Sequence, residues 1–130
     1  MNSVIFDMDG VLFDTERIWL EIWLNIARRQ GIHDMAEFFP LCIGRNNTDT
    51  RGLMLEHYGA DFPYEKFCRE ASVQFHRFVE QNGLPVKKGV HEILVFLKQA
   101  NWNMGLASSS NYQSVTAHLG QAGMRDLFSV

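Results

Sequence analysis

Apolar and polar positions follow two different spacings along the chain. An apolar run at residues 4–6 predicts a short buried strand. From residue 18 to residue 27 the apolar positions recur every three or four residues, which predicts an amphipathic helix that ends near Gly31. Further apolar runs predict four more helices and two more strands. The helices are expected to end near residues 58, 81, 100 and 123, and the strands to occupy 102–107 and to begin again at 127. In the irregular segment 32–43, Pro40 is expected to break any helix.

Two carboxylates and a glycine directly follow the first predicted strand. Asp7 and Asp9 are two positions apart, so they point to the same side at the carboxyl end of the strand, where open α/β sheets bind ligands. Gly10 then permits a sharp turn. Carboxylates this close need either a hard cation such as Mg²⁺ or a shared proton. Asp7 could then attack a phosphorus atom and Asp9 could transfer protons, although a solvated turn is the simpler alternative.

Composition and charge narrow the class of protein. The 130 residues are 46% hydrophobic and 21% charged, as in soluble globular domains. The net charge of −3 does not indicate nucleic-acid binding, which is usually accompanied by a positive charge. No apolar run reaches the roughly 18 residues of a membrane span, and we expect no signal peptide before the first strand. We therefore expect a cytoplasmic protein without membrane or nucleic-acid partners. Cys42 and Cys68 lack metal-ligand spacing and are expected to be reduced thiols, and the five histidines lack zinc spacing.

Residues 7–16 read Asp-Met-Asp-Gly-Val-Leu-Phe-Asp-Thr-Glu, and this run resembles the first motif of the haloacid dehalogenase (HAD) superfamily. More narrowly, it is similar to the motif of the β-phosphoglucomutase-like phosphatases. The resemblance implies an α/β fold, with a Rossmann-like parallel sheet and an inserted α-helical cap. It also implies that Asp7 is the nucleophile and Asp9 the general acid and base. Mg²⁺ would be held by the Asp7 side chain and the Asp9 carbonyl, with Gly10 and Thr15 beside the substrate.

The same resemblance implies a division of the chain and a second motif. Residues 1–14 and 85–130 would form the core domain, and residues 15–84 the helical cap. Ser108 follows the predicted strand 102–107 and resembles the serine whose hydroxyl holds the transferring phosphoryl group. The backbone N–H of Ser109 would lie beside it at a helix N-terminus, which favours anions. The next two residues, Ser110 and Asn111, are second-choice contacts.

A polar turn at residues 44–49 supplies N-caps for the next predicted helix. In the resemblance this turn is the cap loop that reads the substrate, so Arg45 or Asn47 could contact a phosphate or a sugar. An ordinary helix start with a solvated arginine is the alternative. The β-phosphoglucomutases place an arginine where Asn47 stands here, which disfavours a mutase.

The family pattern also includes a lysine and a distal acidic pair, and neither follows Ser108 in this sequence. The resemblance therefore implies the N-terminal three-fifths of a typical member, with the missing C-terminal part as a partner. The function predicted for the parent protein is a Mg²⁺-dependent phosphatase that hydrolyses a small phosphorylated metabolite through an aspartyl-phosphate. A sugar-phosphate mutase is one alternative. A catalytically inactive fragment or binding module is another.

Overall fold

The computed structural model describes residues 2–108 and 110–128. Within these residues the chain has the predicted α/β fold, with two parallel strands and six α-helices where three strands and five helices were predicted. In chain order the elements are β1 Ser3–Asp7, α1 Thr15–Arg29, α2 Met35–Phe38, α3 Asn47–Tyr58, α4 Tyr64–Asn82, α5 Val90–Gln99, β2 Asn103–Ala107 and α6 Tyr112–Gln121, with 3₁₀ turns at Phe39–Cys42 and Arg125–Leu127.

The two strands pair in parallel, from Ser3 opposite Asn103 to Asp7 opposite Ala107. Both strands therefore end at the same edge of the sheet. Because residues 8 and 108 leave the sheet side by side, this register sets the position of every group that follows either strand.

Strand β1 is less buried than its apolar sequence predicts. Val4 and Phe6 are half-buried, and the Phe6 ring meets the edge of Phe128 with centroids 6.2 Å apart. Ile5 points to the opposite face and is 73% exposed. The prediction of a buried strand is wrong for Ile5, because the side chains alternate and its face of the sheet is open to solvent in the described part of the chain.

The chain divides into two compact units. The first unit contains residues 1–15 and 79–130, with both strands, α5 and α6. The second unit contains residues 16–78, with nearly all of α1 and α4 and the whole of α2 and α3. Each unit buries its own apolar side chains: Met8, Leu12, Phe13, Leu94, Met104, Leu119 and Met124 in the first, and Ile18, Ile22, Ile26, Met35, Met54 and Phe67 in the second. The role of the second unit as a cap stays a prediction.

Helix periodicity predicted the long helices well, and local chemistry explains how two of the helices begin. The Asn46 side chain accepts a hydrogen bond from the backbone N–H of Asp49 at 2.8 Å and caps α3, which confirms the predicted cap in this turn. The Asn111 side chain accepts the same bond from Ser114 at 2.8 Å and caps α6. Each cap satisfies one of the N–H groups that a helix start leaves without an internal partner.

Two predictions about local structure are wrong. Residues 35–42 form a short helix and a 3₁₀ turn, where Pro40 was expected to prevent helical structure; proline is tolerated there because it lies in the first turn. A third strand was expected from Leu127, but Leu127 ends a 3₁₀ turn. The last two residues, 129 and 130, lie outside the described residues.

No helix in the described ranges is both long and apolar enough to cross a membrane.

Candidate active site

Asp7 is the last residue of β1, and its side chain is held at the strand end by a local hydrogen bond. The Asp7 Oδ1 atom accepts a bond from the backbone N–H of Met8 at 2.9 Å. The Asp7 residue is exposed, whereas Met8 is 1% exposed. The alternation of exposed and buried side chains in β1 thus continues to Met8, one residue beyond the strand, and leaves the Asp7 carboxylate outside the core.

The loop after β1 is anchored by apolar side chains. Leu12 is 1% exposed and Phe13 is fully buried. Backbone bonds close the loop: Leu12 N–H donates to the Met8 carbonyl and Gly10 N–H donates to the Phe13 carbonyl, both at 3.0 Å. Gly10 has a φ of 78°, in the left-handed region that glycine adopts without strain. The apolar anchors point inward, so the polar positions of the loop remain accessible.

A second segment of the first unit supports this loop from the other side. The backbone N–H of Asp14 donates to the Pro85 carbonyl at 2.8 Å, and Lys87 N–H donates to the Leu12 carbonyl at 2.9 Å. Phe13 and Val86 form an antiparallel bridge between these bonds. No residue pattern indicates this support, because backbone hydrogen bonds between distant segments do not depend on particular side chains.

Asp9 has an unfavourable electrostatic environment. Burial around its carboxylate raises the pKa of Asp9, and the nearby charge of Asp7 raises it further; His118 on α6 opposes both effects. The Asp9 residue as a whole is exposed, so solvent moderates these effects. Nδ1 of His118 is buried and has no hydrogen-bond partner in the part of the chain that the structure describes. Sequence reasoning treated His118 as an ordinary histidine and missed its position near Asp9.

Ser108 follows β2 directly, and the strand register places it at the edge of the sheet where Asp7 lies. It is half-buried, and its Oγ atom accepts a hydrogen bond from the backbone N–H of Ser110 at 3.1 Å. Ser110 is exposed, and Asn111 uses its side-chain oxygen as the cap of α6. Ser109 lies outside the described residues, so its predicted role has no structural description here.

The remaining predicted site residues lie in different surroundings. Gly10 is half-buried in the loop, and Thr15 is the first residue of α1 and only 4% exposed. Arg45 and Asn47 are exposed and belong to the second unit. Nε of Arg45 donates to the Leu41 carbonyl at 2.8 Å. Substrate contacts by these four residues stay predictions.

The donor atoms of Asp7 and Asp9 fit a hard cation. Among the described residues there is no group of three or more histidine, cysteine or acidic side chains that could hold a metal ion. Magnesium sites, however, often use only one or two carboxylates, together with waters and substrate phosphate oxygens. The repulsion that raises the pKa of Asp9 is the kind that a divalent cation relieves.

Sequence comparison connects this site to known proteins. A family model described as "Haloacid dehalogenase-like hydrolase" matches residues 4–130. A "Phosphorylated carbohydrates phosphatase" of Thermotoga maritima is 26% identical over the whole chain, which covers 60% of that protein. "Hexitol phosphatase B" of Escherichia coli K12 is 28% identical; the match spans 97% of this chain and 57% of that protein. A "Beta-phosphoglucomutase" of Bacillus subtilis is also 28% identical, over 85% of this chain and 51% of its own length. The chain thus spans about half to three-fifths of these relatives.

Solved structures agree on the fold. A HAD family hydrolase of Deinococcus radiodurans R1, with bound phosphate and sodium, aligns with 99% of this chain at a TM-score of 0.75 and 24% identity, over 56% of that structure. A β-phosphoglucomutase of Clostridium difficile aligns with 99% of this chain and 60% of that structure, at a TM-score of 0.69 and 22% identity. At this level of identity the similarity shows the fold, and the expected α/β fold is confirmed.

Proposed function

The chain belongs to the haloacid dehalogenase-like hydrolase family, and on that basis we propose that its protein is a phosphatase of small phosphorylated metabolites. The proposal concerns the whole protein, since the chain spans about 60% of its first relative. One observation carries the proposal: β1 and β2 end in register, so Asp7 and Ser108 leave the sheet at the same edge, with Asp9 two residues beyond Asp7.

Asp7 is proposed as the nucleophile. Its Oδ1 atom already accepts the N–H of Met8, so the other carboxylate oxygen, Oδ2, is left to attack phosphorus. A bond forms between Asp7 Oδ2 and phosphorus while the bond from phosphorus to the leaving oxygen breaks. Water later attacks the same phosphorus, releases phosphate and restores the carboxylate.

Asp9 is proposed as the general acid and base. Its raised pKa brings the protonated form closer to neutral pH, which favours donation of a proton to the leaving oxygen. In the second step the Asp9 carboxylate accepts a proton from the attacking water. The surroundings that raise the pKa of Asp9 therefore serve the chemistry at a cost in electrostatic energy.

Ser108 is proposed to orient the phosphoryl group. Its Oγ atom accepts the Ser110 N–H, which leaves the hydroxyl hydrogen available to a phosphoryl oxygen. Donors aimed at the oxygens of a transferring phosphoryl group stabilise its charge in the transition state. The Ser109 N–H is proposed as a second donor from the sequence alone.

Magnesium is the proposed cofactor, held by the Asp7 side chain and the Asp9 backbone carbonyl, where it would supply charge neutralisation to the phosphoryl oxygens. A sugar-phosphate mutase is the second candidate, and it is favoured by the similarity to the Bacillus subtilis β-phosphoglucomutase. A mutase would return the phosphoryl group from Asp7 to another hydroxyl instead of to water.

The test is hydrolysis of 4-nitrophenyl phosphate by the purified protein, with and without Mg²⁺, after its intact mass has been compared with that of the 130-residue chain. We expect Mg²⁺-dependent release of phosphate by the whole protein. Asp7→Asn should lower kcat/KM by about a thousandfold or more, because it removes the nucleophile. Asp61→Asn, at an exposed carboxylate in the second unit, is the matched control and should leave turnover unchanged.

Normal turnover by Asp7→Asn would refute both the phosphatase and the mutase. Isomerisation of a hexose phosphate without phosphate release would favour the mutase. A whole protein that binds phosphate but neither hydrolyses nor isomerises these esters would favour the inactive binding module.

A further inference from the structure

The second unit contains a cavity of about 400 Å³, a size typical of small-molecule sites. It lies among α1, the 3₁₀ turn at Phe39–Cys42, α3 and α4, and every residue that lines it belongs to this unit. Three aromatic side chains form much of its apolar lining: Trp19, Trp23 and Phe39.

The aromatic rings of the cavity are fixed by neighbours. Trp19 stacks on Phe75 with centroids 4.1 Å apart and planes only 2° from parallel. Trp23 meets Phe39 and the buried Phe67 edge-on, at 5.1 Å and 5.3 Å. Rings held in this way lose little freedom when a ligand binds, so the cavity is preorganised for a flat partner.

Two thiols and a phenol lie among the polar groups that line the cavity. Burial raises the pKa of Cys42 and of Cys68, so both thiols stay protonated at neutral pH. Burial likewise raises the pKa of Tyr64, and its hydroxyl donates to the Asn47 carbonyl at 3.3 Å. Thiols are poor hydrogen-bond partners. Asn47, Thr50 and Ser72 also line the cavity, so the preference for a flat ligand rests on the fixed aromatic rings.

The lining also includes one group of each charge. Arg45 and Glu16 are exposed, and the Nε bond to the Leu41 carbonyl fixes the arginine at this position. A ligand with one polar edge could reach these groups while its flat faces contact the tryptophans.

We propose that this cavity binds the planar aromatic or heteroaromatic ring of a small ligand. The inference does not depend on the proposed chemistry at Asp7, because every lining residue belongs to the second unit, although the lining includes Arg45 and Asn47, the substrate contacts predicted from the sequence. The ring could belong to the organic group of a phosphate ester or to a separate ligand, and the experiment distinguishes these two sources.

Cys42 and Cys68 are the two cysteines of the chain, and both line the cavity, so they report its occupancy. The experiment measures the rate at which N-ethylmaleimide alkylates Cys68, the more exposed of the two, by mass spectrometry of its peptide. Indole is the planar probe and D-glucitol the polyol control. We expect indole to slow the alkylation at least fivefold in a saturable way, and D-glucitol to have no effect.

Two adjacent positions on α4 give a matched pair of variants. Ser72 lines the cavity, whereas Val73 is 55% exposed and does not line it. Ser72→Phe should fill the cavity and raise the Kd of indole at least tenfold, while Val73→Phe should leave it unchanged. Ala71→Leu, at a buried lining position, is a second filling variant, and circular dichroism checks that each variant folds.

Absence of protection by indole, equal protection by D-glucitol, or unchanged binding in both filling variants would overturn the proposal. Protection should persist in Asp7→Asn, which separates this inference from the proposed catalysis. Competition by indole against hydrolysis of 4-nitrophenyl phosphate would assign the ring to the phosphate ester. Protection without such competition would assign it to a separate ligand.

Discussion

Two exposed carboxylates, one in each unit, have pKa values shifted in opposite directions. In the first unit, burial and the charge of Asp7 raise the pKa of Asp9. In the second unit, a 2.6 Å bond between His57 Nε2 and Asp34 Oδ2 lowers the pKa of Asp34, and the Tyr58 hydroxyl supports this effect from 3.0 Å.

The opposite pKa shifts indicate that the Asp34 carboxylate has a structural role. Asp34 joins the segment before α2 to the end of α3, and the Phe38 ring stacks on His57 with centroids 4.9 Å apart. Hydrogen bonds with His57 and Tyr58 thus stabilise the charged form of Asp34. Asp9 instead sits near a second carboxylate, held there by a well-packed loop. Such tolerated repulsion is typical of functional sites, where activity is kept at the expense of stability.

The largest expected effect tests the packing that holds the loop of Asp9. Phe13→Ala removes a fully buried ring and should lower the free energy of unfolding by about 3–5 kcal/mol, measured by urea denaturation. Phe13→Leu, which keeps most of the apolar volume, should cost about 1–1.5 kcal/mol and is the control. A loss below about 1 kcal/mol for Phe13→Ala would mean that the loop is not anchored by this ring.

A smaller effect compares two glycines of nearly equal conformation. Gly10 has a φ of 78° and Gly31 a φ of 74°, one in each unit. Alanine at either position should cost about 1–2 kcal/mol of unfolding free energy, because its Cβ atom strains a left-handed backbone. Only Gly10→Ala should also lower kcat for 4-nitrophenyl phosphate, since its loop carries Asp9. Equal losses of kcat in the two variants would contradict the separate roles of the two turns.

The smallest expected effect is a pair of stability changes of opposite sign, caused by replacing the carboxyl groups of Asp9 and Asp34. A carboxyl group whose pKa is raised by folding destabilises the folded state as the pH rises through and beyond about 4, and one whose pKa is lowered stabilises it over the same range. In metal-free buffer at pH 7, Asp9→Asn should therefore raise the urea midpoint and Asp34→Asn should lower it.

At pH 3 both differences should shrink, because the Asp9 carboxyl is protonated in both states and the stabilisation from Asp34 is being lost as the pH falls toward its lowered pKa. The midpoints of the two variants and the parent, compared at both pH values, provide the measurement. Shifts of the same sign at pH 7 would mean that the two carboxylates do not differ in the proposed way.

The sequence by itself determined the local parts of this protein. Helical spacing of apolar residues defined α1 and α4 closely, because periodic burial is encoded in neighbouring positions. The strand that ends at Asp7, with Asp9 two residues later, also followed from local pattern alone. So did the asparagine cap of α3.

The tertiary structure decided the relations between distant segments. The parallel register brought Ser108 to the edge where Asp7 lies. Backbone hydrogen bonds with Pro85 and Lys87 support the loop that follows β1. The same is true of the exposure of Ile5, of the partners of Asp34 and of the cavity that Cys42 and Cys68 share: all result from packing between segments far apart in sequence. Local patterns record which side of an element is buried, but not what covers it, so these features could not be predicted from the residues alone.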